Sequence, residues 1–314
     1  MTSAVRHFAP PTGPLMIETF HADLPHGITL SCRASGPRDA PLVILLHGFP
    51  EAAFAWDEIL ALLADRYRCV APNLRGFEQS GAPAEVEAYR PKHIVADIAA
   101  LAEHCNRAAG RAADAPLAAL VGHDWGGAVA WSLAAQQPQQ LLRLVVLNSP
   151  HPATFLRDLQ HSPAQQKASA YMNFLCRDDA AELLAANDFA RMWPFFGSAA
   201  PDWLTDAARD QYRAVWRRGL QGGLNYYRAS PLRPPTAADA AVLSLAFAPE
   251  AVTVRVPTRV IWGERDAALL PALLDGLDAY VPHLQLLRVP DASHWIVHEQ
   301  PALVAREIAL ALAS

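Results

Sequence analysis

Residues 122–127, Gly-His-Asp-Trp-Gly-Gly, place a carboxylate at the tip of a tight turn. An apolar run at 116–121 precedes them and a pattern typical of a helix follows at 128–133, which predicts strand, turn and helix. This is the context of a nucleophile elbow, G-x-S-x-G, with Asp124 in place of the serine. A carboxylate there attacks carbon directly and forms an alkyl ester, so Asp124 indicates displacement at a saturated carbon rather than acyl transfer by serine.

Asp124 also has a simpler interpretation, because an aspartate at a Gly-rich strand-to-helix turn is a common helix N-cap. Two glycines of the segment favour the catalytic interpretation. Gly122 and Gly126 have no Cβ, which would let strand and helix approach closely around a strained tip residue. The choice depends on whether the chain carries the partners that a nucleophile needs.

Two such partners follow predicted strands further along the chain. Asp266 comes after the apolar residues 258–262, and His294 comes after the predicted strand at 285–289. Open α/β sheets place their sites at the carboxyl ends of strands, so both side chains are expected near Asp124. Alone, Asp266 would be an ordinary turn residue and His294 one of twelve histidines. Together they give the order nucleophile, acid, base, which is that of α/β-hydrolases.

The loop at residues 47–50, His-Gly-Phe-Pro, follows the first long buried strand. In this arrangement the loop supplies one amide of an oxyanion hole, and the residue after the nucleophile supplies the other. We therefore expect the backbone N–H groups of Phe49 and Trp125 to face a developing negative charge. Pro50 favours a cis peptide bond that would aim the loop. The alternative is a plain turn after a strand.

The composition indicates a large buried core and no highly charged partner surface. The 314 residues are 52% hydrophobic and 18% charged, with a formal net charge of −5. No cluster of Lys and Arg is dense enough to indicate binding to nucleic acid or to an anionic membrane. The four cysteines form no CxxC motif and are expected to be reduced thiols.

No targeting or membrane-spanning segment is expected. Residues 1–14 contain several prolines but no apolar stretch like that of a signal peptide. No apolar segment approaches the ~18 residues that span a bilayer. A cytoplasmic protein is therefore expected, and the sequence leaves both monomer and homodimer open.

Strands and helices alternate along most of the chain, which predicts an α/β fold with a mostly parallel central sheet flanked by helices. Two segments at 15–20 and 28–33 surround a Pro/His/Gly turn and predict an antiparallel hairpin. The other predicted strands lie at 41–46, 69–72, 116–121, 141–147, 258–262 and 285–289, and the predicted helices at 54–64, 91–105, 128–133, 269–280 and 301–312.

This alternation stops at about Pro150 and resumes after about Pro249. Between these points the sequence is rich in Ala, Arg, Trp, Tyr and Phe at helical spacing and gives no strong strand signal. We predict a core domain of residues 1–150 and 250–314, with residues 151–249 forming a helical cap inserted in it.

These motifs resemble those of soluble epoxide hydrolases of the α/β-hydrolase superfamily and, next to them, of haloalkane and haloacetate dehalogenases. The resemblance extends from about residue 28 to residue 312 and rests on segments 47–50, 122–127, 224–228 (Leu-Asn-Tyr-Tyr-Arg) and 293–295 (Ser-His-Trp), with 299–301 (Glu-Gln-Pro) beyond the last. The Asp-tipped elbow is shared by both groups, whereas His-Gly-Phe-Pro looks like the epoxide hydrolase form. The resemblance implies a triad of Asp124, Asp266 and His294 that needs no metal and no organic cofactor and acts on a small apolar organic molecule.

Epoxide hydrolases of this type use two cap tyrosines to hydrogen-bond the epoxide oxygen, and the resemblance gives this role to Tyr227. Phe174 aligns with the second tyrosine, and Tyr171 lies one helical turn earlier on the same face. We therefore expect Tyr171 to substitute for it and Phe174 to contact substrate, with simple packing as the alternative. Packing is the favoured interpretation for Tyr226. His151 is expected to border the pocket, or else to be a plain loop histidine.

Four positions bear on the comparison with these families. Glu78 stands where the family usually has Gly, and Asn73 where it usually has Asp. Asn148 stands where some relatives place the acid, and because an amide cannot fill that role, Asp266 is favoured. Trp125 replaces the Arg usual in haloacetate dehalogenases, which disfavours a haloacetate. Haloalkane dehalogenases, however, use Trp at that position as a halide ligand.

The resemblance implies that the protein opens an epoxide to a vicinal diol. Asp124 attacks a ring carbon, Tyr227 and Tyr171 protonate the oxygen, and His294, oriented by Asp266, activates the water that hydrolyses the ester. Dehalogenation by the same triad is the enzymatic alternative. A non-catalytic ligand-binding protein of this fold is the alternative of another class, and the complete triad argues against it.

Overall fold

A single sheet forms the centre of the computed structural model, which describes residues 17–197 and 201–313. Its eight strands are β1 (Glu18–Asp23), β2 (Thr29–Ser35), β3 (Leu42–Leu46), β4 (Arg68–Pro72), β5 (Ala119–His123), β6 (Leu144–Leu147), β7 (Thr258–Gly263) and β8 (Leu284–Val289). They are ordered β1-β2-β4-β3-β5-β6-β7-β8 across the sheet.

The direction of the strands changes only at one side of the sheet. β1 and β2 form an antiparallel hairpin, and β2 also pairs antiparallel with β4. Every further pair, from β4 through β3, β5, β6 and β7 to β8, is parallel. The predicted hairpin and mostly parallel sheet are confirmed. Residues 15 and 16 of the first predicted strand lie outside the described residues, as do residues 1–14.

Twelve α-helices occur in the described residues. They are α1 (Asp57–Leu63), α2 (Pro91–Ala108), α3 (Trp125–Gln136), α4 (Pro152–His161), α5 (Pro163–Ala168), α6 (Tyr171–Leu175), α7 (Ala180–Phe189), α8 (Asp206–Trp216), α9 (Gln221–Ala229), α10 (Pro249–Val252), α11 (Ile296–Glu299) and α12 (Pro301–Ala313). Helices α4–α10 all lie between β6 and β7, and no strand occurs in the described part of that segment. We call this segment, residues 148–257, the helical insertion.

The helix predicted at 269–280 is not formed. Two short 3-10 turns, Pro271–Leu274 and Leu277–Ala279, take its place. Gly276 separates them with a left-handed φ of 72°, and Pro271 has no N–H to extend a helix from the preceding turn. The apolar residues that produced the helical pattern are nevertheless buried, because each short turn packs them separately against the core.

The two faces of the sheet bury separate sets of apolar side chains. Within β3, Ile44 and Leu46 point to one face, and Val43 and Leu45 to the other. The first face is covered by α2, α3 and the helical insertion, and the second by α1, α11 and α12. Because both faces are covered, the central strands are continuous apolar runs rather than alternating ones.

The carboxyl ends of β3, β5, β6 and β7 lie side by side, so the loops that follow these strands converge at one edge of the sheet.

Within residues 17–197 and 201–313, every helix is too short or too polar to cross a membrane.

The turn between β5 and α3 is closed by two glycines that permit close backbone contact. A Cβ built on Gly122 would lie 2.5 Å from the Gly126 carbonyl oxygen. A Cβ on Gly126 would overlap the carbonyl oxygen of Leu46 in β3. Only hydrogen at these positions lets α3 start directly against the neighbouring strands.

We expect Gly126→Ala to lower the free energy of unfolding by about 1–3 kcal/mol, because the added methyl must displace backbone rather than a mobile side chain. Gly81→Ala is the matched control, since a Cβ there would make ordinary contact with Ile28, at 3.4 Å or more. The control should change stability by no more than about 0.5 kcal/mol. Urea unfolding of both variants measures the difference, and equal effects would contradict the steric explanation.

Candidate active site

Asp124 is the turn residue between β5 and α3, with φ 50° and ψ −120°. Such a backbone conformation costs a residue with a Cβ roughly 1–3 kcal/mol. It is held on both sides, because the Asp124 carbonyl accepts hydrogen bonds from the Ala128 N–H at 3.0 Å and from Ser149 Oγ at 2.7 Å. The result is a carboxylate that stands clear of the sheet and remains 12% exposed.

The loop after β3 brings an amide to this carboxylate. The Phe49 N–H donates to Asp124 Oδ1 at 2.8 Å, and the Phe49–Pro50 peptide bond is cis, as predicted. His47 fixes the loop, with Nδ1 donating to the Gly48 carbonyl at 2.8 Å and Nε2 accepting from the Leu74 N–H at 3.0 Å. Burial lowers the pKa of His47 to about 4, so its ring is neutral and serves as a structural bridge.

Trp125, the other expected amide donor, is the first residue of α3. Its N–H is therefore one of the first-turn amides that have no acceptor inside the helix. The start of α3 also contributes a partial positive charge beside the Asp124 carboxylate.

His294 lies between the two aspartates named from the sequence. Its Nδ1 donates to Asp266 Oδ2 at 2.7 Å, and its Nε2 is 3.8 Å from Asp124 Oδ2. The second distance exceeds hydrogen-bond range, so the ring is close to Asp124 without being bonded to it. The structure thus brings Asp124, Asp266 and His294 together from the loops after β5, β7 and β8.

Asp266 is buried and is held by several donors besides His294. The N–H groups of Ala268 and Leu269 each donate to Oδ1 at 2.9 Å, and Asn148 Nδ2 donates to Oδ2 at 2.8 Å. Asn148 also joins the strand ends, because its side-chain oxygen accepts from the Gly263 N–H at 2.8 Å. The sequence showed only that Asn148 could not be the acid, whereas the structure assigns it the orientation of Asp266.

The charges of these side chains shift one another's pKa values. Burial favours a neutral Asp266, but the His294 ring and the donated hydrogen bonds outweigh it and lower the pKa of this carboxyl. Burial likewise favours a neutral His294. The nearby carboxylates, first Asp266 and then Asp124 and Glu51, outweigh burial and raise the pKa of His294 to about 9.

A second buried polar cluster lies behind the catalytic ring. Glu51 accepts hydrogen bonds from His298 Nε2 at 2.6 Å, from the Tyr212 hydroxyl at 2.9 Å and from His123 Nδ1 at 3.1 Å. Through Nε2, His123 reaches the His294 carbonyl at 2.8 Å. Burial opposes the charge of Glu51, but His298 and His123 hold the pKa of this carboxyl well below its usual range.

We did not predict this cluster from the sequence. Two of its members belong to or adjoin the motifs described above, since His123 lies within residues 122–127 and Glu51 directly follows residues 47–50. Their positions next to or inside these motifs are the sequence signal that could have identified them. Tyr212 and His298 gave no such signal, because a tyrosine on α8 and a histidine on α11 have no sequence relation to Glu51.

Two phenols from the helical insertion border the same cavity as Asp124. Tyr227 on α9 is 3% exposed and packs edge-on against Trp125, with ring centroids 5.0 Å apart. Tyr171 on α6 lies beside it, with centroids 6.2 Å apart. Burial, the neighbouring Tyr171 and the charge of Asp124 raise the pKa of Tyr227 well above its ordinary value. Burial and the charge of Asp124 also raise the pKa of Tyr171. Both phenols therefore keep their protons at neutral pH.

Tyr226, the neighbour of Tyr227, is turned to another partner. Its hydroxyl donates to the Arg75 carbonyl at 3.1 Å, and its ring packs against Phe77 and Tyr89. This agrees with the packing role that the sequence favoured, although its ring also forms part of the cavity wall.

The cavity in front of Asp124 has a volume of about 410 Å³, within the range of ordinary ligand sites. Its described lining does not include His151 or Phe174, the two residues expected to contact substrate. Both nitrogens of His151 bond to backbone, Nε2 to the Val252 carbonyl at 2.8 Å and Nδ1 to the Ala153 N–H at 3.3 Å, and burial lowers the pKa of His151 to about 4. Phe174 is half-buried and packs against the apolar core.

The two departures from the family pattern form one hydrogen-bonded unit. Glu78 accepts from Asn73 Nδ2 at 3.2 Å and from Ser31 Oγ at 2.9 Å. An aspartate at position 73 would oppose this carboxylate with a like charge, whereas the amide supplies a donor. Glu78 keeps the positive φ of 52° that suits a glycine, and it pairs with Arg218 of the helical insertion at 3.5 Å.

No group of three or more His, Cys, Asp or Glu side chains in the described ranges is arranged to hold a metal ion.

Comparison with known proteins identifies the family to which this chain is similar. Residues 41–301 match the α/β hydrolase fold family. The chain is 36% identical to AB hydrolase superfamily protein YfhM of Bacillus subtilis (strain 168), over 89% of this chain and 92% of that protein. It is 31% identical to epoxide hydrolase 4 of Mus musculus, over 88% of this chain and 74% of that protein.

Among solved structures, a Bacillus megaterium epoxide hydrolase in complex with an inhibitor superposes with a TM-score of 0.83 at 28% identity, covering 94% of this chain and 100% of that chain. The chain therefore belongs to the α/β hydrolase fold family and is an epoxide hydrolase-like enzyme.

Proposed function

We propose that this protein hydrolyses an epoxide to a vicinal diol through an alkyl ester on Asp124. One observation carries the proposal: two protonated phenols, the half-buried Tyr171 and the buried Tyr227, border the same cavity as the Asp124 carboxylate. An epoxide needs a nucleophile at carbon and a proton donor at oxygen, on opposite sides of the bond that breaks.

In the first step, Asp124 Oδ2 attacks a ring carbon while Oδ1 stays bonded to the Phe49 N–H. The new ester C–O bond forms as the ring C–O bond breaks. A phenol proton from Tyr227 or Tyr171 passes to the departing oxygen, which becomes a hydroxyl group. The second phenol donates a hydrogen bond to the phenolate that is left.

In the second step, His294 removes a proton from water, and the water oxygen attacks the ester carbonyl carbon. The amides of Phe49 and Trp125 stabilise the resulting oxyanion. The intermediate collapses with release of the alkoxide, which takes the proton of the newly formed Asp124 carboxylic acid and leaves as the diol. Asp124 then carries one oxygen that came from water.

The charge on Asp124 couples the two steps. Because the Asp124 and Asp266 carboxylates raise the pKa of His294 to about 9, the free enzyme holds this ring protonated at neutral pH. Forming the ester removes the Asp124 charge and hence one of the causes of that shift. The pKa of His294 falls, its proton passes to the phenolate left by the first step, and the ring becomes a base at the step that needs one.

We propose further that residues 151–249 act as a cap on a core of residues 1–150 and 250–314. Both phenols come from α6 and α9 of this segment, whereas the triad comes from loops of the sheet. A polar contact also links the two, between Arg218 and Glu78.

Dehalogenation by the same triad is less well supported. It would use the Trp125 indole N–H to hold the departing halide. Here the indole packs edge-on against Tyr227, with ring centroids 5.0 Å apart, and its effect lowers the pKa of this phenol against the stronger effect of burial. The donors in front of Asp124 therefore suit a departing oxygen.

His294→Gln should trap the ester, because glutamine cannot accept a proton from water. Turnover of a small terminal epoxide should fall by about 10²–10⁴-fold, and intact mass spectrometry should show one added substrate mass on the protein. His161→Gln, on an exposed histidine at the end of α4, is the control and should turn over normally. Normal turnover by His294→Gln would contradict the mechanism.

The same scheme has an isotopic test in the unmodified enzyme. Single turnover in heavy-oxygen water should place label in the Asp124 carboxylate rather than only in the diol. Release of halide without diol formation on a mixed panel would support the dehalogenase alternative, and absence of any covalent adduct would support a binding protein.

Asp124→Asn should lower the pKa of His294 below about 9, because the amide lacks the charge that helps to hold the ring proton. In the unmodified protein the raised pKa keeps His294 protonated until the pH approaches about 9. In the variant the ring should lose its proton at a lower pH. Imidazole resonances in an NMR titration measure the shift. Asp114→Asn, which removes an exposed loop carboxylate, should leave the pKa of His294 unchanged.

Tyr227→Phe and Tyr171→Phe should each slow ester formation by about 10²-fold, since each removes a donor to the departing oxygen. Pre-steady-state tryptophan fluorescence measures that step apart from hydrolysis. The control is Tyr67→Phe, a buried tyrosine on the opposite face of the sheet. If both single variants form the ester at the normal rate, the phenols are not the acids.

A further inference from the structure

The cavity that opens at Asp124 continues along one face of α3 to the far end of that helix. Trp125, Ala128, Ser132 and Ala135 line it at intervals of three or four residues, which is the spacing of a single helical face. A helix rises about 1.5 Å per residue, so this wall is about 16 Å long from Trp125 to Gln136. The cavity is therefore elongated, with the carboxylate at its inner end.

The helical insertion contributes apolar side chains to the same cavity. Phe155, Leu232 and Val252 of this segment line it together with the residues of α3. Phe247 is 37% exposed and Gln136 is also exposed, and both line the cavity. They mark the outer end, where an apolar molecule can enter from solvent.

The lining also excludes charge. Among the described residues that form the cavity wall there is no Lys, Arg or His, and Asp124 is the single carboxylate. A substrate carboxylate inside would find no cation and would be repelled by Asp124. Burying it without a partner carries a large desolvation cost.

We propose that this site takes neutral epoxides in which the ring lies at the end of a long, narrow apolar chain, and that the chain lies extended along α3. This rests on the proposed function and adds the substrate class. Tetrahedral C–C bonds of about 1.5 Å advance a chain by about 1.3 Å per carbon, so the wall matches roughly twelve carbons. The small side chains of Ala128, Ser132 and Ala135 form the floor of this channel.

The first test is a series of unbranched 1,2-epoxyalkanes from 1,2-epoxybutane to 1,2-epoxytetradecane. Each methylene buried in the channel should raise kcat/KM by about two- to fourfold, because transfer of a CH₂ group from water is favourable. The rise should stop near twelve carbons, where the chain passes Gln136 into solvent. A flat profile would overturn the inference.

The second test shortens the channel at two known depths. Phe in place of Ser132 or Ala135 would fill the channel over the turn preceding each residue. Ser132→Phe should end the rise near six carbons, and Ala135→Phe about three to four carbons later, because the two positions differ by about 4.5 Å along the helix. A third variant, Gln139→Phe, adds equal bulk at an exposed position outside the cavity and should keep the full profile.

Circular dichroism melts verify that the three variants are folded. If Ser132→Phe is not folded, Ala135→Phe alone still tests the depth of the channel. A variant that lowers kcat/KM by one common factor at every chain length would overturn the inference. A stop that moves with the substituted residue supports it.

The third test addresses charge. The methyl ester of 7,8-epoxyoctanoic acid should be hydrolysed at least tenfold more efficiently than the free acid, whose carboxylate would lie near Ser132 inside the channel. Equal efficiency would overturn the requirement for a neutral substrate. If no epoxide of any length yields diol, the proposed function fails, and this inference with it. If all yield diol without dependence on length or charge, only this inference fails.

Discussion

The left-handed backbone of Asp124 is the constraint on which the rest of the site depends. A φ of 50° at a residue with a Cβ is tolerated because β5 and α3 meet through glycines and because the Asp124 carbonyl is bonded from two sides. Since β3 lies beside β5 in the sheet, the same turn puts the carboxylate against the Phe49 amide. The partners of Asp124 are placed by loops, but the direction in which it points is set by the packing of the strand against the helix.

Around this fixed carboxylate the site is organised by charge. His294 lies between Asp266 at 2.7 Å and Asp124 at 3.8 Å, and Glu51 adds a further negative charge in the background. Each of these carboxylates is held by hydrogen bonds or histidines, so the buried charges are paired rather than isolated. In the proposed reaction the charge of Asp124 is lost when the ester forms, and the basicity of His294 follows that loss.

Helix α3 links the chemistry to the choice of substrate. Its first turn contributes the Trp125 amide, and its exposed face forms the wall of the elongated cavity. Small side chains on that face keep the channel open, while the rest of the helix is buried against the sheet. The inner end of the channel is thereby tied to the nucleophile, and its depth is determined by the length of one helix.

Local patterns were sufficient for the parts of this protein that depend on neighbours in sequence. The apolar strands, the hairpin, the Asp-tipped elbow and the cis bond before Pro50 are each determined within a few residues, and the order of Asp124, Asp266 and His294 follows from where strands end. Only the tertiary structure decided the pairing of Glu51 with His298, the bond from Asn148 to Asp266 and the exclusion of His151 and Phe174 from the cavity lining. In the tertiary structure, two short turns also stand where a helix was predicted at 269–280. The physical reason is the same in each case. Hydrogen bonds and burial between residues distant in the chain depend on the packing of whole elements, and periodicity and motif spacing do not encode that packing.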